Sequence, residues 1–90
     1  MYKIFASTKF KKDLKLVIKR GYNVALMDEV VTLLAKGEAL PEQYKDHPLR
    51  GNYAGCRECH IEPDWLLIYE IEDDELILYL TRTGTHSDLF

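Results

Sequence analysis

All three histidines of this 90-residue chain, His47, His60 and His86, lie in its second half, together with Asp64, Arg82 and the aromatic Phe90. An imidazole has an unperturbed pKa of about 6.5, so it both gives and takes protons near neutral pH. Imidazoles gathered with a carboxylate and a guanidinium make a set for acid and base chemistry. One group takes a proton, a second returns one, and a fixed cation steadies the charge that develops between them. Such chemistry needs a cleft, and the intervening stretches read as the β-strands that would build one.

The elements that must position these residues follow from spacing. Tyr2 to Ala6 alternates and suits a short first strand, after which Ser7 or Thr8 can cap a helix by accepting from its free N–H groups. Phe10, Leu14, Val17 and Ile18 then form an apolar stripe, and Gly21 supplies a left-handed stop. Asn23 caps a second helix with the stripe Met27, Val30, Val31 and Leu34, broadened by Leu26 and Leu33, which ends at Gly37 before Pro41. Residues 7 to 37 thus read as a helical hairpin. Pro41, Pro48 and Gly51 mark residues 40 to 51 as a surface loop carrying His47. Strands fit residues 53 to 62, 65 to 71 and 76 to 82, with turns at Pro63-Asp64 and Asp73-Asp74. Leu76 to Leu80 is apolar on both faces, as a central strand would be. The expectation is a single α+β domain over residues 1–90: an N-terminal strand and a two-helix hairpin packed on an antiparallel sheet of about four strands.

Composition narrows the classes. With 47% hydrophobic and 30% charged residues the chain reads as a folded soluble globule, and no apolar run approaches the roughly 20 residues of a membrane-spanning helix. The first residues lack the apolar segment of a secretory signal, so a reducing cytoplasm and no structural disulfide are expected. A net charge of −3 argues against general coating of nucleic acid. The charge is polarised, however. Lys3, Lys9, Lys11, Lys12, Lys15, Lys19 and Arg20 stand against Asp13 alone at the N-terminal end, whereas Glu70, Glu72, Asp73, Asp74 and Glu75 cluster in the last third. The lysines fit either a solvated helix face or a surface that tracks phosphates.

Cys56-Arg57-Glu58-Cys59-His60 matches the C-x-x-C-H attachment pattern of c-type haem. No export signal, axial ligand or cofactor cavity accompanies it, so no haem is expected. On a strand the two cysteines point to opposite faces, which leaves no four-ligand zinc site, and no helix N-terminus activates either thiol. Neither metal nor cofactor is expected.

Tyr44-Lys45-Asp46-His47-Pro48-Leu49, then Cys59-His60-Ile61-Glu62-Pro63-Asp64-Trp65 before an apolar strand, then Thr81-Arg82-Thr83-Gly84-Thr85-His86 and a closing Leu89-Phe90, resemble the YafQ branch of the RelE bacterial toxins. The likeness spans the chain in order and spacing and includes the two-helix preface. It implies a RelE-like fold and a ribosome-dependent endoribonuclease that cuts messenger RNA. It also implies inhibition by a cognate antitoxin and contact with operator DNA only through that complex. His47, His60, Asp64, Arg82 and His86 match positions that the family uses in its active site. Metal-free transesterification at these positions needs a base, an acid and a cation, and the preferred assignment is His60 or Asp64 as general base, His86 as general acid and Arg82 as transition-state clamp, with His47 orienting phosphate or sharing proton transfer and the division of acid and base among them left open. Phe90, Arg57, Lys45 and Trp65 are the candidate substrate contacts. Each residue also has a plainer reading: Asp64 as a turn residue, Trp65 as a core aromatic, Arg82 as a partner of the acidic hairpin, Phe90 as a closing core residue. Two rival classes are a non-catalytic binder of ParE type and a redox or haem protein built on Cys56, Cys59 and His60.

Overall fold

The computed structural model describes residues 1–90. Strand β1 (Lys3–Ala6) leads into helices α1 (Thr8–Lys19) and α2 (Val24–Ala35). Strands β2 (His47–Pro48), β3 (Arg57–Glu62), β4 (Trp65–Glu72) and β5 (Ile77–Gly84) follow, and a short helix α3 (His86–Leu89) closes the chain. Local chemistry accounts for the hairpin. Ser7 Oγ accepts from the Phe10 amide at 3.0 Å and Asn23 Oδ1 from the Ala25 amide at 3.1 Å, satisfying N-terminal donors of α1 and α2. Gly21, at φ +84°, turns the chain out of α1.

The sheet has five strands in the order β1-β5-β4-β3-β2. It is mixed, not antiparallel: β1 runs parallel to β5, while the other pairs are antiparallel. The chain leaves β1 into the helical hairpin and returns at the far edge, so β1 finds its partner only in the last strand, more than 70 residues on. The fifth strand is the two-residue β2, inside the segment expected to be loop. β3 starts at Arg57, not at residue 53, because residues 51–53 form a 3₁₀ turn and Gly55, at φ +92°, bends the chain. Leu76 lies outside β5 in the turn, at φ +55° and exposed.

Helices cover one face of the sheet. Phe10, Val17, Met27, Val30 and Leu34 pack there against Cys59, Ile61, Trp65, Leu67, Tyr69, Leu78 and Leu80. Ile18, assigned to the apolar stripe by spacing, is exposed. The opposite face carries a smaller apolar cluster of Leu66, Ile68 and Leu89, flanked by Leu49, Tyr53 and Cys56. Burial on both faces therefore belongs to β4, whose residues Trp65 to Tyr69 are all buried. No helix is long and apolar enough to cross a membrane.

Candidate active site

The histidines meet on the face that the helices leave open. On β3 the twofold alternation sends Arg57, Cys59 and Ile61 toward the helices, and Glu58 and His60 the other way. β2 sets His47 opposite Glu58 in the ladder. One oxygen of Glu58 then lies 3.5 Å from Nε2 of His47 and 3.5 Å from Nε2 of His60, with the Glu58 side chain only 6% exposed. A buried carboxylate with two imidazoles against it is the fixed centre of the site. Nδ1 of His47 is 2.7 Å from the Lys45 carbonyl, which can only accept, so Nδ1 carries the proton and Nε2 is turned to Glu58.

His86 reaches the same place by a different route. It opens α3, whose start is secured by reciprocal capping between Thr85 and Asp88. Asp64, in the β3–β4 turn, accepts from the His86 amide at 3.0 Å and lies 2.7 Å from its Nδ1. These two bonds hold the Asp64 carboxyl below its ordinary pKa, so it is ionised at neutral pH and acts as acceptor. Nδ1 of His86 must donate, and Nε2 is left for proton transfer. The His60 and His86 rings stand edge to face with centroids 5.6 Å apart, and His47 and His60 lie 6.2 Å apart.

Arg82 joins this face through a bulge. Simple alternation would send it toward the helices with Leu78 and Leu80. Ile68 pairs with Arg82 while Tyr69 pairs with Leu80, so Thr81 is the extra residue and Arg82 crosses to the face of Ile68. Its Nε and Nη2 donate to Asp13 of α1 at 2.6 and 3.1 Å, and Nη1 points at the Tyr53 hydroxyl at 3.4 Å. Asp13 raises the guanidinium pKa further above its ordinary value and holds the fork in place. Asp13 also accepts from the Thr83 amide at 3.2 Å, which ties α1 to the exposed edge of β5. Phe90 packs edge to face on Tyr53 at 5.8 Å and is 65% exposed.

Not every candidate converges here. Trp65 is 1% exposed, packs edge to face on Tyr22 and donates its indole N–H to Thr83 at 2.9 Å, so it has no face to offer a substrate. Arg57 points to the helix side of the sheet, where its guanidinium pairs with Asp46 at 3.2 Å. Lys45 lines a cleft of about 520 Å³ together with His60, Glu62, Gln43, Glu29 and Leu26. Glu58, Asp13 and Tyr53 touch the candidate residues and are neighbours that spacing did not single out. Glu58 was readable as the residue two before His60 on a strand, and Asp13 as the lone acid among the N-terminal lysines. Nothing in the sequence marks Tyr53.

The cysteines are free and on opposite sides of the sheet. Burial pushes the Cys59 thiol up to about 12 and raises that of Cys56, so neither forms a ready thiolate. The donor atoms of Glu58, His60 and His86 lie within 4.8 Å of one another, a carboxylate and two imidazoles that suit zinc or copper.

The same fold recurs among known proteins. A family model described as the bacterial toxin YafQ of type II toxin–antitoxin systems matches residues 2–90. The mRNA interferase toxin YafQ of Escherichia coli K12 is 45% identical over 85 residues, which cover 93% of this chain and 90% of the relative. A metal-bound toxin from Helicobacter pylori superposes with a TM-score of 0.94 at 48% identity, covering all of both chains. YafQ in the DinJ–YafQ complex of E. coli superposes at 0.91 with 43% identity, over 100% of this chain and 99% of that one. With the fold, the whole-length match and the sequence identity in agreement, this chain belongs to the YafQ family of bacterial type II toxins.

Proposed function

We propose that this chain is the toxin of a type II toxin–antitoxin system and an endoribonuclease that cuts messenger RNA on the ribosome by metal-independent transesterification. The observation that carries the chemistry is the gathering of His47, His60, His86 and Arg82 on one face of the sheet, around the buried Glu58. The ribose 2′-oxygen attacks the neighbouring phosphorus, the P–O5′ bond breaks, and a 2′,3′-cyclic phosphate and a 5′-hydroxyl result. His60 takes the 2′-OH proton, and the Glu58 carboxylate faces the imidazolium so formed. His86 protonates the departing 5′-oxygen, with Asp64 acting through it as a positioning residue. Arg82 has N–H groups beyond those given to Asp13 and Tyr53, and they neutralise the phosphorane oxygens. His47 shares the Glu58 carboxylate and contacts phosphate.

A net charge of −3 supports dependence on the ribosome, which supplies the message in a fixed pose, so naked RNA is a poor substrate. The E. coli relative forms a complex with DinJ, and a cognate antitoxin is the proposed partner here, acting in the cytoplasm and reaching operator DNA only within the complex.

The test is single-turnover cleavage of a defined message on ribosomes in excess chelator, with mapping of the new ends. His60→Ala and His86→Ala each lower the rate on the order of 10²–10⁴-fold with the fold retained. Intact message despite ribosome binding overturns the enzyme reading in favour of a binding toxin of ParE type.

The metal-bound relative from H. pylori favours one addition. A transition metal at this site would be held by Glu58, His60 and His86 and would supply a Lewis acid there. His60 and His86, once ligating, have no lone pair left for proton transfer. Zinc or copper therefore inhibits cleavage, and chelator restores it.

A further inference from the structure

The helix side of the sheet holds a polar network that the proposed reaction leaves unused. Arg57 on β3 and Tyr69 on β4 stand directly opposite each other in the ladder, and both donate to one residue of the loop before β2. Asp46 accepts from the Tyr69 hydroxyl at 2.5 Å and from Arg57 Nη2 at 3.2 Å, and Nε of Arg57 lies 3.3 Å from each of its oxygens. Tyr69 is 1% exposed, so its hydroxyl depends on this carboxylate for a partner. The three residues line a cleft of about 460 Å³ with Leu34 and Ile71, and no histidine reaches it.

What the network fixes is the next residue along the chain. Asp46 and His47 are adjacent and point to opposite faces, the carboxylate to the helix side and the imidazole to Glu58 and His60. Just before them, Lys45 takes the left-handed conformation at φ +49°, which a residue with a Cβ rarely adopts. Its amide closes the 3₁₀ turn on the Glu42 carbonyl at 3.0 Å, and its carbonyl lies 2.7 Å from Nδ1 of His47. A left-handed residue of this kind persists only where its surroundings over-determine it. β2, with two residues in the ladder, has little hold of its own, whereas Arg57 and Tyr69 stand on the longer strands β3 and β4.

Resting on the nuclease reading above, we propose that Asp46 is a positioning residue for the reaction, gripped from behind the sheet by Arg57 and Tyr69 so that the Lys45 turn presents His47 in a fixed pose on the open face. The chain of contacts runs from two strand side chains to a carboxylate, from there to a strained turn, and from its carbonyl to the Nδ1–H of the imidazole. Arg57 thus serves cleavage without touching RNA.

The test is a double-mutant cycle in single-turnover cleavage, on ribosomes programmed with a defined message. Asp46→Ala lowers the rate at saturating ribosomes by up to on the order of 10²-fold, the loss from a displaced reacting group, and leaves the half-saturating concentration unchanged. Tyr69→Phe, which removes only the hydroxyl, acts in the same direction, and Arg57→Lys keeps more activity than Arg57→Ala. In a His47→Ala background each change costs less than about twofold in rate, while its effect on melting temperature persists there. In ¹⁵N spectra of the free protein, the proton held on Nδ1 of His47 in the wild type is shared between both ring nitrogens in Asp46→Ala. The proposal falls if the Asp46→Ala and His47→Ala losses multiply, which makes the network a general prop of the fold, or if the Nδ1 proton is undisturbed. It falls equally if Arg57→Ala only raises the half-saturating ribosome concentration, which assigns Arg57 to ribosome contact. In each of these outcomes the wild type still cuts, His86→Ala does not, and the nuclease reading stands. Message left intact by the wild type removes the nuclease reading, and the role of Asp46 in the reaction with it.

Discussion

Gly84→Ala is the sharpest perturbation of the site, because it displaces His86 without touching it. Gly84 sits at φ +154°, and a Cβ there would meet Oδ2, Cβ and Cγ of Asp88 at 2.8, 3.0 and 3.3 Å. Part of that overlap is with the Asp88 Cβ, which cannot swing aside as a side-chain tip can. Asp88 must therefore move, and it is fully engaged. It accepts from the Thr85 amide at 2.9 Å, its own amide donates to Thr85 Oγ1 at 3.1 Å, and it pairs with Arg20 at 2.6 Å. Backbone strain costs about 1–3 kcal/mol and the lost cap about 1, and the exposed ion pair with Arg20 is given up as well. The total, roughly 2–4 kcal/mol, falls on a four-residue helix anchored to the sheet by Leu89. A unit that small is released locally before the domain unfolds. His86 then leaves Asp64, and single-turnover cleavage falls on the order of 10²–10⁴-fold, as for His86→Ala. The melting temperature falls by on the order of 10 °C, from about 4–8 °C per kcal/mol in a domain of this size. In an Asp88→Ala background the contacts with Oδ2 and Cγ are gone, so Gly84→Ala adds less than it does alone. Full additivity in that cycle, or wild-type cleavage by Gly84→Ala, refutes the reasoning.

Arg82→Lys keeps the charge but loses the fork shared between Asp13 and substrate, so single-turnover cleavage drops on the order of 10²-fold; an unchanged rate would make Arg82 a structural partner of Asp13 only. Trp65→Phe removes a buried donor from Thr83 and lowers stability by about 1–3 kcal/mol in denaturant titration, while cleavage stays within about threefold. Asp88 is held well below the usual carboxylate range by Arg20 and by the Thr85 amide. Its contribution to stability is therefore complete above the unfolded value near about 4 and drains away as pH falls through the lower folded value, and Asp88→Asn flattens this acid limb of melting temperature against pH. Cys56→Ser leaves cleavage intact, as does Cys59→Ser, although the latter buries a hydroxyl in the helix-side core and lowers the melting temperature.

Local signals carried the helical hairpin: Ser7 and Asn23 cap where their side chains allow, and Gly21 stops α1 where a left-handed residue is needed. The β3–β4 turn at Pro63-Asp64 was equally legible. Pairing was not, because the parallel partnership of β1 with β5 depends on contacts far along the chain, and a strand as short as β2 has no period to read. Within the site, the residues with distinctive chemistry could be named from type and spacing, and the three imidazoles do share a face. Which face a side chain takes is a property of register. Trp65 and Arg57 fall on the helix side for that reason, and Glu58 escaped notice because Cys56, Cys59 and His60 suggested a motif while the strand ran in twos.

The bulge at Thr81 makes the arrangement of charge depend on how many residues there are rather than which. Between Leu80 and Arg82 the chain spends one residue more than its neighbour, and that odd number is what turns a cation outward while Thr83 still reaches inward to Trp65. Deleting Thr81 would remove only the extra residue and restore plain alternation, with Arg82 next after Leu80 and still opposite Ile68 on the outward face. Were Thr81 instead to take an ordinary place in the ladder opposite Ile68, Arg82 would be driven into the layer beneath the helices, and the stretch leading to His86 would arrive rotated by half a turn.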